Sequence, residues 1–193
     1  MRKTKSRIAI TAVTFAMTSV TAIAISAPSA FADVTVMVGG APMYPTKNII
    51  ENAVNSKDHT TLVAAVKAAG LVETLSGKGP FMVFAPTNAA FAKLPAGTVE
   101  TLLKPENKQK LIKVLTSHVV GKAVLSDAIG KMVDDEKGVH PVKTLSGATL
   151  LVKKKKGKLT LTDENGGTAT VTIADVKQSN GVIHVVDAVL LPK

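Results

Sequence analysis

Four histidines, His59, His118, His140 and His184, are the side chains of this 193-residue sequence best suited to acid–base chemistry near neutral pH. A catalytic histidine needs a nucleophile beside it or a carboxylate to orient it. His118 follows Leu111 by seven residues and Leu115 by three, the spacing of one apolar helical face, where a hydrogen-bonded core residue is expected. His184 alternates with Val182, Val186 and Leu190, whereas Asp187 alternates with Ile183, Val185 and Val189. A strand would therefore put imidazole and carboxylate on opposite faces, which argues against a local dyad. The sequence has no Ser-His-Asp order, nucleophile elbow or glycine-rich phosphate loop. No catalytic residue is expected, and the chain is read as a protein that is not an enzyme.

Metal and cofactor chemistry finds as little support. Cysteine is absent, and no His-x-His or His-x3-His pair offers closely spaced ligands. Met37 and Met43 could present thioethers to Cu(I), with strand-edge packing as the ordinary alternative. Asp134, Asp135 and Glu136 form an acidic triplet that lacks calcium-loop spacing and its distal glutamate, so a solvated loop is expected. The most conspicuous charged feature is Lys153, Lys154, Lys155, Lys156 and Lys158, interrupted only by Gly157. It lies between two strand-like runs and should form a hairpin tip. Lysines there blunt edge-to-edge association. They also make the candidate interaction surface, suited to an anionic glycan or an extracellular or envelope protein.

The elements that would carry these residues change period along the chain. Residues 33–45 hold Gly39, Gly40, Pro42 and Pro45 and read as an extended leader. Thr46 is a plausible N-cap for a helix bearing Ile49, Ile50, Ala53 and Val54, and a second helix from near Asp58 to Thr61 ends at Gly70. Phe81–Ala85 reads as a buried strand, Asn88–Phe91 and Thr98–Leu103 as short helices, and Pro105 opens a longer helix with Leu111, Ile112, Leu115 and Val119 on its buried side. Strand-like runs follow at Thr149–Val152, Lys158–Leu161, Thr168–Ile173 and Val182–Leu191, separated by Lys-Gly and Asn-Gly turns. Helices first and strands afterwards give an α+β fold.

The first 32 residues look like an export signal. Arg2, Lys3, Lys5 and Arg7 precede an uncharged apolar run from Ile8 to Ala27, and Ala30-Phe31-Ala32 suits signal peptidase, with cleavage before Asp33. No stable membrane insertion is expected after that cleavage. The signal holds four of the 24 basic residues and none of the 14 acidic ones, so removing it lowers the net charge from +10 to +6. Together with 3% aromatic residues and no tryptophan, that is too little for nucleic-acid binding. Without cysteines, stability must come from a Val, Leu, Ile and Ala core. A periplasmic or secreted bacterial protein, monomeric and without cofactor, is expected, with an envelope protein that binds a small ligand or a metal as the alternative to a binding module.

Three segments together resemble the fasciclin domain. Gly79-Pro80-Phe81-Met82-Val83-Phe84-Ala85-Pro86-Thr87-Asn88-Ala89-Ala90-Phe91 is similar to the family's first signature, with Met82 where threonine is usual. Leu115 to Val120 resembles its Tyr-His segment, and Asn180 to Pro192 its closing signature. The likeness spans 46–192. It implies a wedge-shaped β-sandwich flanked by short helices, acting in adhesion or protein interaction outside the cytoplasm. It also implies that Phe81, Phe84, Pro86, Thr87, Phe91, His118, His184 and Asp187 are core rather than contact residues, with the two signatures paired as central strands. Ser117 stands where the family has an aromatic, which leaves that segment either a depleted contact surface or a differently packed core.

Overall fold

The computed structural model describes residues 35–193, and the signal peptide expected at 1–32 lies outside them. The chain opens with an antiparallel hairpin of β1 (Val36–Val38) and β2 (Ala41–Met43). Val38, Ala41 and Met43 are buried in one cluster with Ile49 and Val176, so the expected leader is extended but belongs to the core from Val36 onward. Met37 points to the opposite, exposed face from Met43, which separates the two thioethers.

Next come α1 (Ile49–Ala53), α2 (Thr60–Ala69) and α3 (Val72–Ser76). Asn48 caps α1, in place of the expected Thr46. Its Oδ1 accepts the Glu51 N–H at 2.9 Å while its own N–H donates to Glu51 Oε2 at 2.8 Å, the reciprocal pair that an Asn-x-x-Glu sequence allows. Gly70 ends α2 with φ 74°, and the Leu71 N–H donates to the Val66 carbonyl, as the sequence predicts. Strand β3 (Phe81–Pro86) then leads into α4 (Asn88–Ala92), α5 (Thr98–Leu103), a 3-10 turn at Pro105–Asn107 and α6 (Lys108–Thr116).

Helix α6 stops before His118 rather than carrying it. Ser117 Oγ and His118 Nδ1 both reach the Val114 carbonyl, at 2.6 and 2.8 Å, and the next residues turn into β4 (Val119–Val120). These side-chain bonds compete with helix continuation, and the two valines favour the strand. The remainder is α7 (Ser126–Asp135), β5 (Val139–Lys143), β6 (Thr149–Lys155), β7 (Lys158–Thr162), β8 (Thr168–Gln178) and β9 (Gly181–Val186). The acidic triplet expected in a loop therefore lies at the end of α7. There Asp134 pairs with Lys154, and Glu136 lies 3.0 Å from His140.

One seven-stranded sheet runs in the order β4-β3-β9-β8-β7-β6-β5. Next to the β4 edge lies the parallel pair β3 and β9, in register from Phe81 opposite Gly181 to Pro86 opposite Val186. One face, through Val83, Ala85, Ile183 and Val185, packs against α1, α2, α6 and the hairpin. The other, through Met82, Phe84 and Val186, packs against α7 and the inward side chains of β6 and β7. Strands from both ends of the sheet thus share one core, which requires the sheet to fold on itself. The bend falls in β8, whose ladder with β9 is irregular between Val171 and Val176. This is the wedge-shaped α+β sandwich that the resemblance implies.

The join of β3 and β9 is close enough to demand glycine. A Cβ at Gly181 would lie 2.0 Å from the Phe81 carbonyl oxygen, whereas one at Gly130 in α7 would meet only the Lys154 ammonium at 3.9 Å. Gly181→Ala should therefore lower the unfolding free energy by about 2–3 kcal/mol through overpacking. Gly130→Ala should raise it by about 0.5–1 kcal/mol through helix propensity. Urea denaturation of the two variants checks both signs.

Candidate functional site

The two motif histidines hold the core together through backbone groups. His118 Nε2 accepts the Leu190 N–H at 3.0 Å, and Nδ1 donates to the Val114 carbonyl, so the ring ties the C-terminal segment to the end of α6. Phe84 stacks on His184, with ring centroids 5.8 Å apart. His184 Nδ1 accepts the Asp175 N–H at 3.3 Å, and Nε2 donates to the Val124 carbonyl at 3.1 Å. Each ring is therefore neutral, with one nitrogen accepting and one donating. Burial pushes both below their ordinary value of 6.5, against the pull of those carbonyls and of Asp163 and Asp175 respectively. Buried His59 is also pushed down by burial, and Ser56 Oγ lies 2.9 Å from its Nδ1.

The other motif residues are ties of the same kind. Thr87 Oγ1 accepts the Ala90 N–H and caps α4, and Asn88 beside it binds Thr61, Lys57 and Thr60 across to α2. Phe91 is buried, Phe81 packs against the helical core, and Pro86 closes β3. Asp187 accepts the Thr170 N–H at 2.7 Å and lies 3.7 Å from Lys93, but 42% of its side chain is exposed, so it sits at the surface and not in the expected core; it follows Val186, the last residue of β9, where the sequence pattern runs on to Leu191. Ser117 is 1% exposed. That position faces the interior, so the missing aromatic belongs to packing and not to an outer surface. Sequence reasoning missed Asn180 as a tie: its side chain joins the β8–β9 turn to Ile49, Leu75 and Gly77.

The lysine cluster forms the hairpin of β6 and β7, and the structure divides it. Lys154 shares the inward side with Leu150 and Val152, and its ammonium reaches Asp134 of α7 at 2.9 Å. Lys153, Lys155 and Lys158 point outward instead. Lys155 stands directly opposite Lys158, and Lys153 opposite Thr160. Thr160 and Thr162 continue the face to Thr170 and Thr168 on β8. No aspartate or glutamate occupies any outward position of β6, β7 or the paired start of β8. Among the described residues, Lys153, Lys155, Lys156 and Lys158 make no ion pair. Lys156 in the turn adopts φ 50°, which costs a lysine about 1 kcal/mol where asparagine or glycine would fit freely. Like charges directly across a ladder are destabilising as well.

The fasciclin domain model matches residues 57–192. Protein sll1483 of Synechocystis is 54% identical over 75% of this chain and 73% of its own length. The cell surface glycolipoprotein MPB83 of Mycobacterium bovis is 34% identical over 72% of this chain and 58% of its own. Among solved structures, a FAS1 domain pair from the insect cell adhesion molecule fasciclin I superposes with a TM-score of 0.66 at 19% identity, over 75% of this chain and 51% of that one.

The histidines make stability depend on pH in a defined direction. Their folded values lie below 6.5, so the unfolded chain takes up protons first as pH falls. Stability should be fully present above pH 6.5. Below it, each histidine should remove up to about 1.4 kcal/mol per pH unit until its folded value is reached. Chemical denaturation between pH 7.5 and 5.5 measures the slope, and His118→Asn should make it shallower.

Proposed function

Since this chain belongs to the fasciclin domain family, we propose that it is an exported, non-enzymatic interaction module whose outward β6–β8 face binds an anionic polysaccharide of the cell envelope or its surroundings. The observation that carries this reading is the charge placement on the hairpin. Lys155 and Lys158 face each other without a carboxylate between them, next to a lysine in a strained turn. All of these choices cost stability, and a bound polyanion offsets the repulsion. The threonines beside them add hydroxyls on rungs about 4.8 Å apart across the strands. A linear polymer can meet that row at several points at once.

Support for a non-catalytic role comes from the histidines. The nitrogens of His118 and His184 are taken up by backbone groups, which leaves neither ring free to move a proton to or from a substrate. Support for export comes from the pattern of residues 1–32 and from the similarity to MPB83, a cell surface glycolipoprotein. No helix among the described residues is long and apolar enough to cross a membrane.

Binding to dextran sulfate, polygalacturonate and neutral dextran separates this reading from non-specific charge attraction. The protein should bind the two anionic polymers and not dextran, with affinity falling by about tenfold or more as salt rises from about 50 to 300 mM. Lys153→Gln, Lys155→Gln and Lys158→Gln together should weaken binding at least about tenfold, whereas Lys154→Gln should change it less than about threefold. Lys155→Gln alone should raise stability by a few tenths of a kcal/mol at low salt while it weakens binding. Equal losses in the inward and outward variants would refute the face-specific reading.

A further inference from the structure

The folded sheet leaves a cleft of about 380 Å³ between its two edge strands. β4 and the residues after it form one wall, β5 the other, and α7 closes the third side. The edges are joined at one end only, where the Leu145 N–H donates to the Val119 carbonyl at 2.7 Å and the Ser146 N–H to the Thr116 carbonyl at 3.3 Å. Past that junction Val120 and Val142 face a common space whose floor is Met82 and Ile129, both almost fully buried. Met132 of α7 borders the cleft with 38% of its surface still exposed.

The rim is cationic. Lys122 stands on the β4 side and Lys143 on the β5 side, both exposed, and neither makes an ion pair among the described residues. His140 also borders the cleft, with the Glu136 carboxylate 3.0 Å from its Nδ1. The uncompensated charge is therefore that of the two lysines. The volume is near the lower end of the roughly 300–1,000 Å³ typical of small-molecule sites. Two methionines in the lining suit an unbranched apolar chain, because their thioethers adjust to a flexible partner.

We propose that this cleft binds a medium-chain monocarboxylate, with its hydrocarbon chain over Met82, Ile129 and Met132 and its carboxylate between Lys122 and Lys143. The proposal does not depend on polysaccharide binding. Its apolar lining favours the chain by excluding water, and the lysines select for the acid over an uncharged molecule of the same length.

Amide chemical shifts of the ¹⁵N-labelled protein, titrated with sodium octanoate and separately with 1-octanol, test the proposal. Octanoate should give saturable shifts at Val120, Ile129 and Val142, and should bind at least about tenfold more tightly than octanol. Lys122→Gln with Lys143→Gln should remove that preference. Met132→Glu should abolish octanoate binding by repulsion, while Met132→Gln retains it and shows that the cleft is still formed. Shifts that fail to saturate, or equal affinity for acid and alcohol in the unaltered protein, would overturn the proposal. So would concentration-dependent shifts of Val120 and Val142 without ligand, because the occupant would then be a second copy of the chain.

Discussion

The parallel pairing of β3 with β9 is the constraint on which the rest of the molecule depends. Two segments about a hundred residues apart in the chain meet along six consecutive positions, and both are buried on both faces. Successive side chains of each strand therefore point into different cores. Val83, Ala85, Ile183 and Val185 seed the helical side, while Met82, Phe84 and Val186 seed the side enclosed by the folded sheet. A shift of one residue between the strands would exchange the two sets. Register is held at the start of the pair by glycines whose replacement would collide with backbone, and by Asn180, which ties the β8–β9 turn to α1 and α3. His118 and His184 then fasten flanking segments to that centre, and only as neutral rings.

Much of this was legible in the residues. The apolar Phe81–Ala85 run identified a strand buried on both faces. The hairpin tip followed from Lys-Gly between two strand-like runs. What escaped did so for physical reasons. α7 contains Gly130 and ends in Asp134 and Asp135, acids at the end where the helix dipole disfavours them, so its sequence resembles a loop. β5 carries Pro141, which only an edge strand tolerates. α3 is five residues long and is stable only through tertiary packing. The first hairpin was hidden by its glycines and prolines, although its buried positions belong to the core.

The candidate surface was legible as composition but not as geometry. Five lysines close together announce a charged tip; only strand register shows that Lys154 turns inward to Asp134 while Lys153, Lys155 and Lys158 share the outward face. The strand positions of the family motifs, Met82–Pro86 and Val182–Val186, are by contrast buried. Their buried histidines, and Phe84 stacked on His184, hold the scaffold together. The surface proposed for binding lies instead on side chains that the scaffold leaves exposed, Lys153, Lys155 and Lys158. The edge cleft illustrates this too: it exists because a sheet bent at β8 closes at Leu145 but not beyond.

The central claim is that the outward hairpin face, and not the net charge of the protein, engages an anionic polymer. Mapping amide and lysine side-chain shifts during titration with a defined galacturonate oligomer tests it most directly. The account predicts saturable changes confined to Lys153, Lys155, Lys158 and the neighbouring threonines of β7 and β8, with Lys154 unmoved. Changes spread evenly over all exposed lysines, or centred elsewhere on the molecule, would contradict it.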